Sequence, residues 1–562
     1  MLGFDISRFR ELAFGQPALP DHPLKDEAAV RKLIEELPAS PLTGLAELTH
    51  WVLSINTEAS FTPSRRARVL LALDAAARPY WSELAELYLA PDGTPAEGHD
   101  GDPAILRALL DSAFEFATGY GYSLQTHEKP VLWIEKNFAQ LALQRARWLA
   151  RRFTLANMLH LPVLDSIWAD LHALYRLAGE RDALRKVIRV DPEKPFTSSV
   201  KLVYTRVLLT DMADLDTLRG RDVELAFRIA GRVAANARLE ADPIPGAICA
   251  IEPHGSSRPT AVRRLHEASG PVLYLDAYNC LPRLKAMLER GMGTDLSEPD
   301  TLLGFGYTLG ERNAMINRLI DLWGPTPPQR RSKRVQFNAE ALVKAGFDDA
   351  VEVIPALEQG DWKQADTASA LQILHHDAGK TKAPERLKKS LAEARVKLID
   401  ASVRGLGLLV PRKDASWARL GMLIAVYVEP GPDWIVGAVR RIGAEGEQFR
   451  LGVAVITRQP RLVWFHLETT GYVSVWEEEK RLERNFFDHF QRAILIDAER
   501  VPLGSGEMLV APGVAERGSC LDIPFARGMQ RIRVATVRES TEAFDRVAFE
   551  SLGVTLDGAH GK

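Results

Sequence analysis

Asp400-Ala401-Ser402-Val403-Arg404-Gly405 is a short polar turn that opens directly into Leu406-Gly407-Leu408-Leu409-Val410. The second half is apolar and free of proline, and it reads as a strand. In the first half Asp400 offers a carboxylate acceptor and Ser402 a hydroxyl, while Gly405 lets the backbone approach closely or take a positive φ. Upstream lies the basic run Arg330-Arg331-Ser332-Lys333-Arg334. Taken singly, both pieces are ordinary. A basic run in a chain with 71 Lys+Arg is most often a solvated face or linker, and D-x-S-x-x-G is a common turn. The segments beyond the turn give them weight. Leu420–Val428, Trp434–Ile442 and Phe449–Ile456 read as strands, separated by Pro430-Gly431-Pro432-Asp433 and by Gly443–Gly446. Short strands at this spacing predict a β-barrel.

The order of these features resembles the PilZ domain family. Arg330 and Arg334 form R-x-x-x-R, and Asp400, Ser402 and Gly405 form D-x-S-x-x-G. A Trp434 strand ending in Val439-Arg440-Arg441 and a Leu451-Gly452-Val453 strand complete the pattern. The resemblance implies a six-stranded β-barrel that binds the bacterial second messenger cyclic di-GMP. It also implies that Arg330, Arg331, Arg334, Asp400, Ser402 and Gly405 contact that ligand. The chemistry agrees, because the ligand is a dianion with two guanines. An arginine fork donates in pairs to phosphate or to guanine O6 and N7, and stacks on the base. One feature departs from the family: residues 335–399, which separate the two motifs, make a longer gap than the family has. Either the barrel carries a helical insertion at about 348–399, or the arginine run is not the family's arm. Helices are expected at Asp348–Gln359, Trp362–His376 and Pro384–Ile399, although Phe347 and Val351–Ile354 also fit a strand.

Before the arginine run the chain reads as helix. Glu27–Leu37, Leu45–Leu53, Arg65–Leu89, Pro103–Thr118 and Val131–Phe153 have helical character, and in Val163–Ala178 the residues Leu164, Trp168, Leu171 and Tyr175 line one face. Trp168-x-x-Leu171 with Tyr175 resembles the first helix of a tetratricopeptide repeat. No second copy occurs at that period, so an irregular helical domain is expected. Further helices are expected at Ser198–Leu218, Asp222–Ala237, Asn279–Arg290 and Glu311–Leu322, with short strands at Ala247–Ile251 and Val272–Leu275. Trp323–Gln329 is a proline-rich linker. After the barrel, Arg461–Leu467, Tyr472–Trp476, Ala493–Ile496, Ser505–Ala511, Cys520–Ile523, Gln530–Val537 and Phe544–Glu550 continue as β-segments.

The expectation is therefore an α+β multidomain protein. A mainly α-helical domain at 1–322 is followed by a linker and arginine arm at 323–334. A PilZ-like barrel with its helical insertion occupies 335–470, and a second small β-domain 471–562. Composition sets bounds on function. The 562 residues carry a net charge of −3, so no global field draws nucleic acid or anionic membrane. Three scattered cysteines, Cys249, Cys280 and Cys520, suit a reducing cytoplasm and form no zinc motif. The N-terminus has no basic flank before an apolar core, and the longest apolar run, Leu420–Val428, is too short to span a bilayer. His375-His376-Asp377 lacks the further ligands that a metal needs. Gly304-x-Gly306 with Gly310 misses dinucleotide spacing, and Gly255-Ser256-Ser257 has no catalytic partner. No catalytic, metal or cofactor site is expected. The reading is a cytoplasmic cyclic di-GMP effector whose helical domain engages a protein partner. The alternative is a ligand-independent scaffold acting through that domain.

Overall fold

In the computed structural model the described residues are 22–89, 103–125, 131–161, 165–190, 197–265, 270–291, 293–298, 300, 303–304, 306–326, 334–357, 395–429, 433–467, 490–497, 503–525 and 528–556. The chain divides into two compact units, Met1–Gln329 and Arg330–Lys562.

The first unit is helical. Its helices are α1 (Glu27–Glu35), α2 (Pro41–Thr57), α3 (Pro63–Leu89), α4 (Pro103–Ser123), α5 (Leu132–Met158), α6 (Asp165–Glu180), α7 (Val200–Asp211), α8 (Gly220–Val233), α9 (Leu281–Glu289) and α10 (Leu309–Trp323). Local chemistry sets several starts. Asp26 accepts from the Ala29 amide, Ser199 accepts from Leu202, and Thr308 with Glu311 forms a reciprocal capping box. Helix α5 is the centre of the packing, with Ile134, Phe138, Leu141, Trp148 and Phe153 all buried. Trp148 stacks on Phe116 of α4 with ring centroids 4.5 Å apart. Helix α3 continues through Pro79, which costs one backbone bond without ending the helix. The helix expected over Ser198–Leu218 is shorter than the periodicity suggests. Ser199 caps its start, and it stops at Asp211. Asp214 then takes a left-handed φ of 59°, which Asp tolerates better than most residues. Strands β1 (Ile188–Arg189) and β2 (Thr197–Ser198) pair together. β3 (Arg238–Glu240), β4 (Cys249–Ile251), β5 (Thr260–Ala261) and β6 (Leu273–Asp276) form a four-stranded sheet in the order β3-β6-β4-β5.

The second unit holds two closed barrels. The first comprises β7 (Val335–Ala345), β8 (Arg395–Ser402), β9 (Gly405–Pro411), β10 (Leu423–Val428), β11 (Ile435–Glu445) and β12 (Gln448–Thr457), in the cyclic order β7-β8-β9-β12-β11-β10. Leu398, Leu406, Leu408, Val410, Ile424, Val439 and Val453 fill its interior. The second comprises β13 (Arg461–Leu467), β14 (Phe490–Ile496), β15 (Gly506–Val510), β16 (Cys520–Phe525), β17 (Gly528–Ser540) and β18 (Asp545–Leu556), in the order β13-β14-β15-β18-β17-β16. Strand for strand this is the connectivity of the first barrel. The expected small β-domain is thus a repeat of the barrel topology. It begins at Arg461 rather than 471, because β13 pairs with β14 and β16 and with no strand of the first barrel.

Between β7 and β8 the structure corrects the two ends of the expected helical insertion. Helix α11 spans only Phe347–Val353, and residues 395–399, expected as the end of a helix, begin β8. The helix expected at Trp362–His376 and the segment 384–394 lie outside the described residues, as does Tyr472–Trp476. Helix α11 has a structural role. Phe347, Ala350, Val351 and Ile354 join Leu423 and Val436 from the first barrel and Leu462, Ile494 and Leu509 from the second in one buried cluster. An Arg440–Glu539 ion pair bridges β11 and β17.

Candidate functional site

The D-x-S-x-x-G turn joins β8 to β9 as a tight hairpin in which Ser402 faces Gly405 and Asp400 faces Gly407. The pairing of β8 with β9 shifts between Leu398 and Asp400, leaving Ile399 as an extra residue. This bulge decides which way the motif points. Leu398 faces the core, so strict alternation would send Asp400 inward as well. The extra residue reverses the phase, and Asp400 and Ser402 emerge on the outer face opposite two glycines. The neighbouring β12 residues on that face are Gly452, opposite Gly407, and Ala454, opposite Gly405. The result is an outer patch of nearly bare backbone, edged by an acid and a hydroxyl.

Arginines close over this patch. Arg334, just ahead of β7, donates to Asp400 Oδ1. Arg450 of β12 lies 3.4 Å from Asp400 Oδ2. The carboxylate is 2% exposed because both cover it, while Arg450 remains half exposed. Arg458 reaches back to donate to the carbonyls of Ser402 and Val403 at 2.8 and 3.3 Å. The Ser402 hydroxyl donates to the Gly405 carbonyl at 3.4 Å. Gly407 is sterically required: a Cβ there would sit 2.5 Å from Asp400 Oδ1. Val403 at the hairpin tip and Val335 and Phe337 on β7 are exposed apolar residues on the same hairpin and its neighbour strand.

Of the residues expected from sequence, the structure brings Arg334, Asp400, Ser402 and Gly405 together across the residues that separate the motifs. Arg330 and Arg331 lie outside the described residues. Sequence reasoning missed Arg450, Arg458, Gly407 and Gly452. Gly407 and Gly452 were visible as glycines inside strands, a pattern that marks close backbone approach. Nothing in the local sequence distinguishes Arg450 or Arg458 from the other arginines. Among the described residues, no group of three or more His, Cys, Asp or Glu side chains could hold a metal, and no helix is long and apolar enough to cross a membrane.

Residues 28–244 match the family model described as "Cyclic-di-GMP receptor FimW, N-terminal domain". The matched stretch begins within α1 and ends just after β3, inside the helical unit. The description is that of a receptor, and it names the same ligand that the barrel motifs imply. No curated protein matches the chain.

Proposed function

We propose that this protein is a cyclic di-GMP effector that binds its ligand on the outer face of the first barrel, in the manner of a PilZ domain. One observation carries the reading. The acid–arginine pair of Asp400 and Arg334 lies over a glycine-cleared face, in a chain whose helical part matches a cyclic di-GMP receptor family. Asp400 is an acceptor for the guanine N1–H and N2–H edge, and the Ser402 hydroxyl donates to a phosphate oxygen. Arg334, with Arg330 and Arg331 on the preceding arm, supplies forks for phosphate and for guanine O6 and N7. Gly405 lets a flat base approach the backbone, while the room left by Gly407 seats the Asp400 carboxylate. Docking transfers Arg334 from Asp400 to the ligand, which exchanges an internal pair for an intermolecular one. The helical unit is the output, engaging a protein partner in the bacterial cytoplasm. A switch of this kind requires that the ligand favour one arrangement of the arm over the other. No catalysis and no nucleic-acid target belong to this reading.

Calorimetric titration with cyclic di-GMP tests it. Wild-type protein is expected to bind at micromolar Kd or tighter. Arg334→Ala is expected to weaken binding about tenfold or more, the scale of a lost charge-assisted contact. Absence of saturable binding by the wild type would sink the sensor reading and leave a scaffold acting through its helical unit.

A further inference from the structure

The Asp400 carboxylate is held by two arginines, and the two are mounted differently. Arg334 takes Oδ1 from the residue just ahead of β7. The ladder to β8 begins only one residue later, where Val335 faces Ala401. Arg450 takes Oδ2 at 3.4 Å from within β12. It stands in two ladders at once, opposite Leu409 of β9 and Gly443 of β11, so its backbone is fixed from both edges. Its guanidinium is braced a second time, 3.7 Å from Glu445 of the same β11–β12 hairpin. Arg334 thus belongs to the arm and Arg450 to the barrel. Among the described residues, these two are the side chains that pair with the Asp400 carboxylate.

Guanine recognition makes the orientation of that carboxylate matter. Guanine presents two neighbouring donors, N1–H and N2–H, and a carboxylate pairs with both only when its plane is aligned with the base. The χ2 torsion of an aspartate is broad, so an outside partner must fix that plane. Arg334 does not serve, because it turns to the ligand on docking. Arg450 remains. Each carboxylate oxygen has more than one lone pair, so Oδ2 keeps Arg450 while it accepts from a base, and Oδ1 is freed as Arg334 departs. Gly407 completes the seat from β9, where a Cβ would stand 2.5 Å from Oδ1.

We propose that Arg450 is a positioning residue that sets guanine selectivity, holding Asp400 in the one orientation that pairs with N1–H and N2–H together. This role rests on the cyclic di-GMP reading of the hairpin, and it assigns Arg450 no contact with the ligand. Without Arg450 the carboxyl group turns about χ2. Either oxygen still meets N1–H, but the matched contact to the 2-amino group is lost.

The test compares cyclic di-GMP with cyclic di-IMP, whose hypoxanthine bases keep N1–H and lack the 2-amino group. Both are titrated calorimetrically into the full chain, Arg450→Gln and Arg450→Lys at the same ionic strength. The wild type is expected to prefer cyclic di-GMP about tenfold or more, the scale of a hydrogen bond to a charged acceptor. In Arg450→Gln the preference should shrink to about threefold or less, because cyclic di-GMP weakens while cyclic di-IMP barely moves. The ratio is taken on one preparation, so any unfolded fraction cancels from it. Arg450→Lys keeps the cation that a single-point contact needs and should restore most of the preference. Arg395→Gln, which removes an exposed β8 arginine paired with Glu340, should leave both affinities unchanged. Equal weakening of both dinucleotides in Arg450→Gln, or an undiminished preference, overturns the proposal. A wild type that binds both dinucleotides equally overturns this role alone. A wild type that binds neither overturns the sensor reading and this role with it.

Discussion

Asp400 shows how one side chain can depend on three others. Its buried carboxylate is paired with Arg334 and Arg450, and it fits against β9 because residue 407 has no Cβ. Gly407→Ala would place a methyl group within 2.8 Å of both carboxylate oxygens. The variant is expected to be about 1–3 kcal/mol less stable by urea denaturation, the scale of overpacking a tight site. Cyclic di-GMP affinity should fall with it, because Asp400 must leave its position. His172 is the second informative residue. It is buried, its Nε2 donates to the Ser257 carbonyl at 3.0 Å, and its Nδ1 accepts from the Tyr204 hydroxyl at 2.7 Å. This geometry holds the neutral ring. Burial, with Arg176 adding, lowers its proton affinity below the ordinary histidine range, against the opposing pull of the Ser257 carbonyl. The unfolded chain therefore takes up a proton that the folded protein refuses, and stability is lost as pH falls through about 6.5. Urea midpoints at pH 7.5 and 5.5 should show this fall. His172→Gln should flatten only part of it, since burial lowers His22 in the same direction.

At the scale of elements, α11 matters more than its seven residues suggest. Phe347 and Val351 lie in a cluster of residues from the outer faces of both barrels, whose strand neighbours fill the two interiors. Phe347→Ala is expected to cost about 3–5 kcal/mol, the usual penalty for removing a buried phenyl ring. Because the cluster is shared, amide exchange should accelerate together in β10 and β14. Acceleration in β10 alone would show that the barrels open independently. The sequence left this segment between helix and strand, since an apolar run of this length fits either. Packing resolved it: a short helix presents Phe347, Ala350 and Val351, with Ile354 at its C-cap, to the gap between barrels.

On the scale of the whole molecule, the second barrel repeats the connectivity of the first, and an echo survives in the sequence. Leu398-Ile399-Asp400-Ala401-Ser402-Val403-Arg404-Gly405 corresponds to Leu495-Ile496-Asp497-Ala498-Glu499-Arg500-Val501-Pro502. Both stretches run from the second strand of their barrel toward the third. The second copy has Glu499 in place of Ser402 and Pro502 in place of Gly405. By residue type, a glutamate disfavours phosphate and a proline has no backbone N–H to offer an anion. Asp497 accepts from the Thr457 hydroxyl at 2.9 Å. The first barrel alone should therefore set cyclic di-GMP binding at this motif. Asp497→Ala is expected to leave the affinity within about twofold, whereas Asp400→Ala abolishes micromolar binding. Calorimetry on the two variants distinguishes them, and equal losses would mean that both barrels hold ligand.

The sequence by itself determined the succession of helix and strand, the closing of strands 406–456 toward a barrel, and the chemical type of the motif residues. These come from local periodicity and turn chemistry, which neighbouring residues specify. It also held clues that local reading passes over, such as the strand glycines and the repeated Leu-Ile-Asp-Ala. Only the tertiary structure decided which way Asp400 points, because a single extra residue at Ile399 reverses the phase of a two-residue alternation. It alone brought Arg334, Arg450 and Arg458 to one hairpin, and assigned β13 to a second barrel. The arginine contacts join residues 50 or more apart along the chain, which no short window of sequence contains. The bulge lies within one hairpin, but a β-ladder fixes register by its cross-strand partners, and local propensity does not say which strand residue is left unpaired.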